Sequence, residues 1–204
     1  DTKYTLATLS RGYGRKSKGF LIAEPNVTSK DIGDEPLQIF NKFKNITVAV
    51  DADRQQGLKL LKEYKPSLEV ILLDDAYQHR KVTAGFNILL TAYHQLYCDG
   101  IVLPSGDLRE PKSGSKRAQV IVVTKCPDHL NSTQKDKIKK RLKPASNQTV
   151  FFSSIQYSQK LVSSISSRPL TDLKGINTKT QKTGFYEIQM NKNIFKSRLL
   201  NFMN

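Results

Sequence analysis

Two glycine patterns that mark phosphate-binding loops are missing from this sequence. Neither GxGxxG nor GxxxxGK(S/T) occurs in its 204 residues, although the chain contains 11 glycines. The absence excludes a dinucleotide-binding fingerprint and a Walker A loop within these residues. A phosphate site in this chain must therefore use other side chains and other loops.

Long apolar runs and paired cysteines are also missing. No run approaches the roughly 20 residues of a membrane-spanning helix, so we expect none within this sequence. The two cysteines, Cys98 and Cys126, lack the spacing of metal ligands, which argues against a zinc site. Their small number fits a reducing cytoplasm.

Acidic residues are few relative to basic ones. Lysine and arginine number 33 against 18 aspartates and glutamates, which gives a formal net charge of +15. Such a charge favours a polyanionic partner, and nucleic acid, a phosphorylated lipid and an anionic membrane face all qualify. Simple solubility is the alternative explanation, because many basic proteins bind no special partner.

The sequence does contain a regular succession of short apolar runs and helical segments. Val70–Leu73 is an unbroken apolar run that predicts a strand buried on both faces of a parallel sheet. Further strands are predicted at residues 4–9, 20–23, 46–50, 86–92, 120–123 and 150–157, with helices at 36–44, 51–64 and 132–143. The alternation favours an α/β fold with a mainly parallel sheet flanked by helices.

Polar side chains follow the run Val70–Leu73 directly. Asp74 and Asp75 come first, and Gln78 and His79 follow within the same short segment. Ligands of open α/β sheets bind at the carboxyl ends of the strands, where an aspartate of this kind can hold Mg²⁺ on a nucleotide's phosphates. Capping of a following helix is the simpler alternative for the two aspartates.

The loop at residues 10–19 is a second candidate site. It contains three glycines and four cations, with Arg11 and Tyr13 at its start. Glycine lets a backbone approach a ligand closely, cations attract phosphate, and a tyrosine covers flat or apolar groups. The alternative is a solvated basic loop without a ligand.

Two predicted helix N-termini carry charged side chains. Asp34 and Glu35 precede Pro36, which suits a first helical turn. The positive end of the helix dipole keeps a carboxylate there ionised, as a metal ligand or proton acceptor must be, although ordinary capping explains it as well. Arg54 lies in the first turn of a helix that Asp51 is predicted to cap. A cation is unfavourable at this end of the helix dipole, so its presence there makes Arg54 a candidate phosphate contact.

Two later loops supply further candidates. Arg109 and Glu110 lie in a loop pinned by Pro104 and Pro111, where an arginine could offset charge on a transferred phosphoryl group. A surface Arg–Glu pair of little consequence is the alternative. Lys125 stands in a Thr-Lys-x-x-Asp sequence similar to the base-contacting loop of some nucleotide-binding proteins, which makes it a candidate nucleotide contact.

Taken together, the motifs SRGYGR, GDEP, DDAYQHR and LPSGDLREP, followed by KRAQVIVVTKCP, resemble the tetraacyldisaccharide 4'-kinase family in their order and spacing. The resemblance covers roughly residues 5–157 and implies a P-loop-kinase-like α/β/α sandwich. It implies a kinase that uses ATP and Mg²⁺ to phosphorylate the 4'-position of a tetraacyl-disaccharide 1-phosphate, a lipid A precursor, in lipopolysaccharide biosynthesis. It places that activity at an anionic membrane surface, the cytoplasmic face of the bacterial inner membrane, with peripheral attachment of these residues. We expect a monomer without a nucleic-acid partner.

The resemblance also implies roles for individual residues. Asp34 corresponds to the family's catalytic carboxylate, and Arg109 and Glu110 to the loop pair over the reacting phosphates. Three carboxylates would organise Mg²⁺: Asp74, Asp75 and Glu35. The residues on the substrate side would be Arg11, Tyr13, Gln78 and His79, to which the placement of Arg54 adds a fifth. The family usually has glycine where this chain has Ala76.

Some family segments are not recognisable in this sequence. The amino-terminal membrane helix and the GGTGKTP Walker A segment would lie upstream of Tyr4, and the carboxy-terminal lobe has no match in residues 158–204. We therefore predict an α/β core at residues 1–152 and a linker strand with the start of a smaller lobe at 153–204. The 204 residues alone are expected to be inactive. A basic α/β nucleic-acid-binding module and a non-catalytic scaffold stay open as alternatives.

Overall fold

A computed structural model describes residues 4–156, 160–162, 167–169 and 187–188. The chain forms two compact units, Asp1–Gly85 and Phe86–Asn204. Each unit contains a mainly parallel sheet and helices, so the predicted α/β class is confirmed. Within the described ranges, no helix has both the length and the apolar content needed to cross a membrane.

The sheet of the first unit has four strands: β1 (Leu6–Ser10), β2 (Leu21–Ile22), β3 (Thr47–Val50) and β4 (Val70–Leu73). Their spatial order is β2-β3-β1-β4. The strand β1 pairs in parallel with both β3 and β4, whereas the short β2 runs antiparallel to β3. The three parallel strands therefore deliver their carboxyl ends to one edge of the sheet.

The strand β4 differs from its prediction. It lies at the end of the strand order of this sheet, and its central Leu72 is 48% exposed. Burial on both faces was therefore a wrong prediction for this strand. An apolar run favours burial of both faces of a strand, but it carries no information on whether another element covers each face.

Helices cover both faces of this sheet. The helix α3 (Arg54–Tyr64) packs Leu61 against one face, beside Ala49 of β3. The helices α1 (Ser29–Ile32) and α2 (Asp34–Lys42) pack on the other face, where the neighbouring Val48 is buried. Side chains alternate between the two faces along a strand, so one short strand serves both cores.

The start of α3 also differs from its prediction. Its N-cap is Asp53, whose carboxylate accepts hydrogen bonds from two backbone N–H groups of the first turn. The prediction that Asp51 caps this helix was wrong, because Asp51 instead follows the last residue of β3 and is only 2% exposed. The first residue of α3 is Arg54, as close to the helix start as predicted.

The second unit contains a second four-stranded sheet and a short hairpin. In the sheet, β5 (Ile88–Ala92), β6 (Val120–Cys126) and β7 (Thr149–Gln156) are parallel neighbours. Helix α4 (Ser132–Leu142) connects β6 to β7. The remaining elements are a 3₁₀ helix at Lys112–Arg117, the hairpin of β8 (Lys160–Val162) and β9 (Ser167–Pro169), and β10 (Glu187–Ile188), which pairs antiparallel with β7.

The predicted domain boundary and the two compact units do not coincide. The units divide after Gly85, whereas the boundary predicted between residues 152 and 153 falls within β7. Most of the predicted smaller lobe, at residues 153–204, lies outside the described residues. Its existence stays a prediction.

Candidate functional site

Polar residues meet at the carboxyl edge of the first unit's sheet. Ser10 ends β1, Asp51 follows β3, and Asp74 follows β4. The hydrogen bonds between neighbouring strands continue into these residues. The N–H of Asp51 donates to the backbone oxygen of Ser10 at 3.0 Å, and the N–H of Asp74 donates to the backbone oxygen of Leu9 at 3.1 Å. This is the edge at which α/β sheets bind their ligands.

Carboxylates from two distant motifs interact at this edge. Burial raises the pKa of Asp74, and the charge of Asp75 raises it further. Burial also raises the pKa of Glu35, and Asp74, Asp75 and Asp34 add to that rise in this order. Asp34 and Glu35 are the first residues of α2, as predicted. The fold therefore brings the GDEP and DDAYQH segments within electrostatic range of each other.

The carboxylate cluster fits a magnesium ion held by two ligands. The predicted set of three magnesium ligands, Asp74, Asp75 and Glu35, is not assembled: in the part of the chain that the structure describes, no group of three or more His, Cys, Asp or Glu side chains is arranged to hold a metal. Mg²⁺ commonly binds one or two protein carboxylates together with substrate phosphates and water. Asp74 and Asp75 would be enough for that role. A cation there would oppose the carboxylate repulsion that adds to the effect of burial in raising the pKa values of Asp74 and Glu35.

Arg54 is buried next to this cluster. It is 3% exposed, and its Nη1 donates to the backbone oxygen of Asp51 at 2.6 Å. Its Nε has no hydrogen-bond partner among the described residues. Burial lowers the pKa of Arg54 and nearby Arg11 lowers it further, whereas Asp74 and other carboxylates act in the opposite direction. An unpaired buried N–H is compatible with the predicted phosphate contact.

The glycine-rich loop lines an open cavity of about 360 Å³. Its walls are formed by residues 11–15 and 17–19, together with Ala52. Arg11 and Tyr13 both line it, as the prediction of a ligand-binding loop requires, and Tyr13 is 90% exposed. The cavity thus combines cations, backbone groups and an accessible aromatic ring.

This loop packs closely against the start of α2. Gly33 has φ +91°, and a Cβ added there would lie 2.8 Å from the backbone oxygen of Tyr13. A Cβ added at Gly12 would lie 2.9 Å from the backbone oxygen of Ile32. Only glycine permits both approaches, so the position of Tyr13 is fixed relative to Asp34 by backbone contact.

The turn after β4 holds the remaining predicted residues of this unit. The N–H of His79 donates to the backbone oxygen of Ala76 at 2.8 Å. The Nε2 atom of His79 is buried and has no hydrogen-bond partner within the described residues. Gln78 is exposed. The substrate roles of both residues stay predictions.

Three predicted site residues belong to the second unit. Arg109 is exposed, and Glu110 accepts two hydrogen bonds of 3.0 Å from Arg117. Glu110 is therefore bound by Arg117 and not by Arg109, as the alternative of a surface pair required. Lys125 is exposed and has φ +57°, beside the register shift between β6 and β7. Their proposed roles stay predictions.

Two residues at or near the cavity were not predicted as site residues: Arg15, which lines it, and Asp51, which precedes the lining Ala52. Arg15 was counted only as one of several loop cations, and Asp51 was interpreted as a helix cap. The available signal for Asp51 was its place directly after an apolar run, which matches that of Asp74. Nothing in the sequence distinguishes Arg15 from the other cations of its loop.

Comparisons with known proteins agree with these motifs. The family model of tetraacyldisaccharide-1-P 4'-kinases matches residues 1–182. A tetraacyldisaccharide 4'-kinase of Flavobacterium johnsoniae is 51% identical over 157 residues, which cover 77% of this chain and 46% of that protein. Its counterpart of the same name in Bacteroides fragilis is 50% identical over 156 residues, covering 76% and 42% respectively.

A solved structure is similar as well. The crystal structure of "apo" form LpxK from Aquifex aeolicus in complex with ATP matches with a TM-score of 0.63 and 31% identity. The match covers 84% of this chain and 51% of that one. The chain spans about half the length of the curated relatives it matches. By the extent of the family match, the chain belongs to the tetraacyldisaccharide-1-P 4'-kinase family.

Proposed function

We propose that this protein transfers a phosphoryl group from ATP to the 4'-hydroxyl of a tetraacyl-disaccharide 1-phosphate during lipid A biosynthesis. The observation that carries the proposal is the electrostatic coupling of Glu35, in the GDEP segment, to Asp74 and Asp75 after β4. Phosphoryl transfer needs a metal site and a proton acceptor close together, and this coupling supports the assignment of candidates for both to one edge of the sheet. The family membership supports the same reaction.

In this proposal the carboxylates have two separate roles, proton acceptance and metal binding. Asp34 accepts the proton of the attacking hydroxyl or orients the group that does, and its exposed position at the start of α2 keeps it accessible. Asp74 and Asp75 would hold Mg²⁺, with Glu35 as their acidic neighbour. A bound Mg²⁺ supplies positive charge that offsets the charge of the nucleotide's phosphates.

In this proposal basic and polar side chains bind the acceptor, the tetraacyl-disaccharide 1-phosphate. The cavity of the glycine-rich loop would take the sugar-phosphate headgroup, with Arg11 for phosphate and Tyr13 for the sugar ring. The half-buried His79, in the turn after β4, would also contact the acceptor. The further proposed acceptor contacts are Arg54 and Gln78. Arg109 and Glu110 would act as the catalytic loop pair over the reacting phosphates, and Lys125 would contact the nucleotide.

A transfer assay tests this function. The protein, at its full encoded length, is incubated with ATP, Mg²⁺ and tetraacyl-disaccharide 1-phosphate, and we expect a bisphosphorylated product carrying the new phosphate at the 4'-position. An acceptor already phosphorylated at this position serves as the control and should remain unchanged. Consumption of ATP without a phosphorylated lipid product would contradict the proposal.

We also propose that the protein works at an anionic membrane surface, on the cytoplasmic face of the inner membrane. The net charge of +15 supports this, because each cation near an anionic surface contributes roughly 1 kcal/mol at low salt. We expect sedimentation with vesicles of anionic lipid at low salt and release at high salt. Equal binding to vesicles of neutral lipid would remove the electrostatic part of this proposal.

A further inference from the structure

Arg117 is a cation to which the proposed mechanism gives no task, yet it binds a residue of the predicted catalytic loop. Its Nη2 donates to both carboxylate oxygens of Glu110, at 3.0 Å each. The side chains of Arg117 and Glu110 are only 35% and 21% exposed, so water screens this ion pair less than a pair on the open surface. Charge-assisted hydrogen bonds are also stronger than those between neutral groups. Arg117 therefore holds the carboxylate of Glu110 beside the 3₁₀ helix Lys112–Arg117.

Gly114 supplies the space in which this carboxylate lies. It is buried within the same 3₁₀ helix, and its N–H donates to the backbone oxygen of Pro111 at 2.8 Å. A Cβ added at Gly114 would lie 2.7 Å from the Cδ of Glu110, and 2.8 and 2.9 Å from its two carboxylate oxygens. The side chain of Glu110 is therefore packed against the helix backbone as well as bound by Arg117.

Leu108, two positions earlier, is anchored by different contacts. Its N–H donates to the backbone oxygen of Ile101 at 3.0 Å, and its backbone oxygen accepts a hydrogen bond of 2.9 Å from the N–H of Leu103. Its side chain packs on Gly100, where an added Cβ would lie 2.7 Å from the Cγ of Leu108. Leu108 is thus held by the part of the loop that precedes it, without a contribution from the 3₁₀ helix.

Arg109 lies between these two anchored neighbours, and its own side chain is exposed. An arginine that offsets charge on a transferred phosphoryl group must be held within about 0.5 Å of its productive place by surrounding contacts. The contacts of Leu108 fix the chain on one side of Arg109, and those of Glu110 fix it on the other. Loss of the ion pair at Glu110 would leave Arg109 fixed from one side alone.

We propose that Arg117 is a positioning residue, whose ion pair with Glu110 fixes the chain next to Arg109 and so sets the place from which Arg109 acts on the reacting phosphates. The inference rests on the proposed kinase function for the role of Arg109. Arg117 acts through Glu110 and does not touch the reacting groups. Within the proposed catalytic pair, Glu110 is then the anchor of the arginine beside it.

The substitution Arg117→Met tests this inference in the protein at its full encoded length. Methionine keeps an apolar stem but removes the charge and the donors that bind Glu110. We expect the kcat for the proposed transfer to fall about tenfold or more, with the KM values for ATP and for the acceptor changing less than about threefold, because Arg109 would act on charge that develops in the transition state. The matched control is Lys116→Met, which removes an exposed cation from the same 3₁₀ helix and should leave the kinetics unchanged.

A second variant, Gly114→Ala, addresses the same contact without changing a charge. The atoms nearest to the added Cβ belong to the end of a flexible side chain, so we expect the carboxylate of Glu110 to move away from Arg117 while the fold is retained. This variant should lower kcat to a similar degree, and the double variant should be no slower than the slower single one. An unchanged kcat in Gly114→Ala would overturn the inference, as would additive effects of the two substitutions.

Hydrogen exchange separates this inference from the proposed function. The amide of Gly114, which is bonded to Pro111, should exchange about tenfold faster in Arg117→Met than in Lys116→Met, whereas the amide of Leu108 should exchange equally in both variants. This result does not depend on which reaction the protein catalyses. Absence of transfer by the unchanged protein would refute the kinase function alone, whereas equal exchange of the Gly114 amide in the two variants would refute the anchoring role.

Discussion

In the protein at its full encoded length, Asp74→Asn is expected to lower the kcat for the proposed lipid phosphorylation by about a hundredfold or more, the scale of losing a principal electrostatic contact. Asp74 follows β4 at the carboxyl edge of the sheet and is half-buried, so its charge acts in surroundings that screen it weakly. Asparagine has nearly the same shape but lacks the charge that would hold Mg²⁺. The loss should therefore appear in kcat, measured with saturating ATP and acceptor.

Although activity should fall, the thermal stability of Asp74→Asn should not. Burial and the charge of Asp75 raise the pKa of Asp74, which means that its ionised form is disfavoured in the folded protein. Removing the charge should therefore leave the thermal midpoint unchanged or raise it. The control is Asp136→Asn on the exposed face of α4, which should change neither quantity. Activity within about threefold of the parent would contradict the proposed metal role.

Asp34→Ala is expected to reduce kcat by about a hundredfold or more, as losses of a general base do. Asp34 is the first residue of α2 and is exposed, so its carboxylate is accessible to an acceptor hydroxyl. If it acts on the acceptor hydroxyl, the KM for ATP should change less than about threefold. Steady-state kinetics with each substrate varied in turn separate these two parameters.

A matched control for this variant lies in the same helix. Gln38→Ala removes an exposed polar side chain from α2 and should leave the kinetics unchanged, since alanine maintains the helix. Damage to Asp34→Ala that appeared only as weaker ATP binding would instead make Asp34 a metal or nucleotide contact. Equal damage in the two variants would indicate a general effect on α2.

The sequence was sufficient to predict the outline of the site. Alternating apolar runs and helical segments predicted parallel strands, and parallel strands end at one edge, so Asp74 was expected where the structure has it. The helix start at Asp34 followed from Pro36 and the acidic residues before it. These features depend on local composition and on rules that apply to every α/β sheet.

Other features depend on the path of the chain and could not be predicted in this way. Asp51 and Asp53 are equally good helix caps by residue type, and only the last hydrogen bond of β3's ladder with β1 decides that Asp51 is buried. The bond from Arg15 to Gly19 depends on the conformation of every residue between them. The exposure of Leu72 depends on which elements cover that face of β4, and the residues of the strand itself do not specify this.

The contact between Gly12 and Gly33 has a consequence for how such enzymes can diverge. Each glycine is required by the backbone of the other segment, so neither position can accept a side chain while its partner segment stays in place. If the glycine-rich loop of one protein were transferred into another, the residues around Gly33, between α1 and α2, would have to be transferred with it. Gly12 and Gly33 are 21 residues apart in the chain, and their two segments should therefore be inherited and exchanged together.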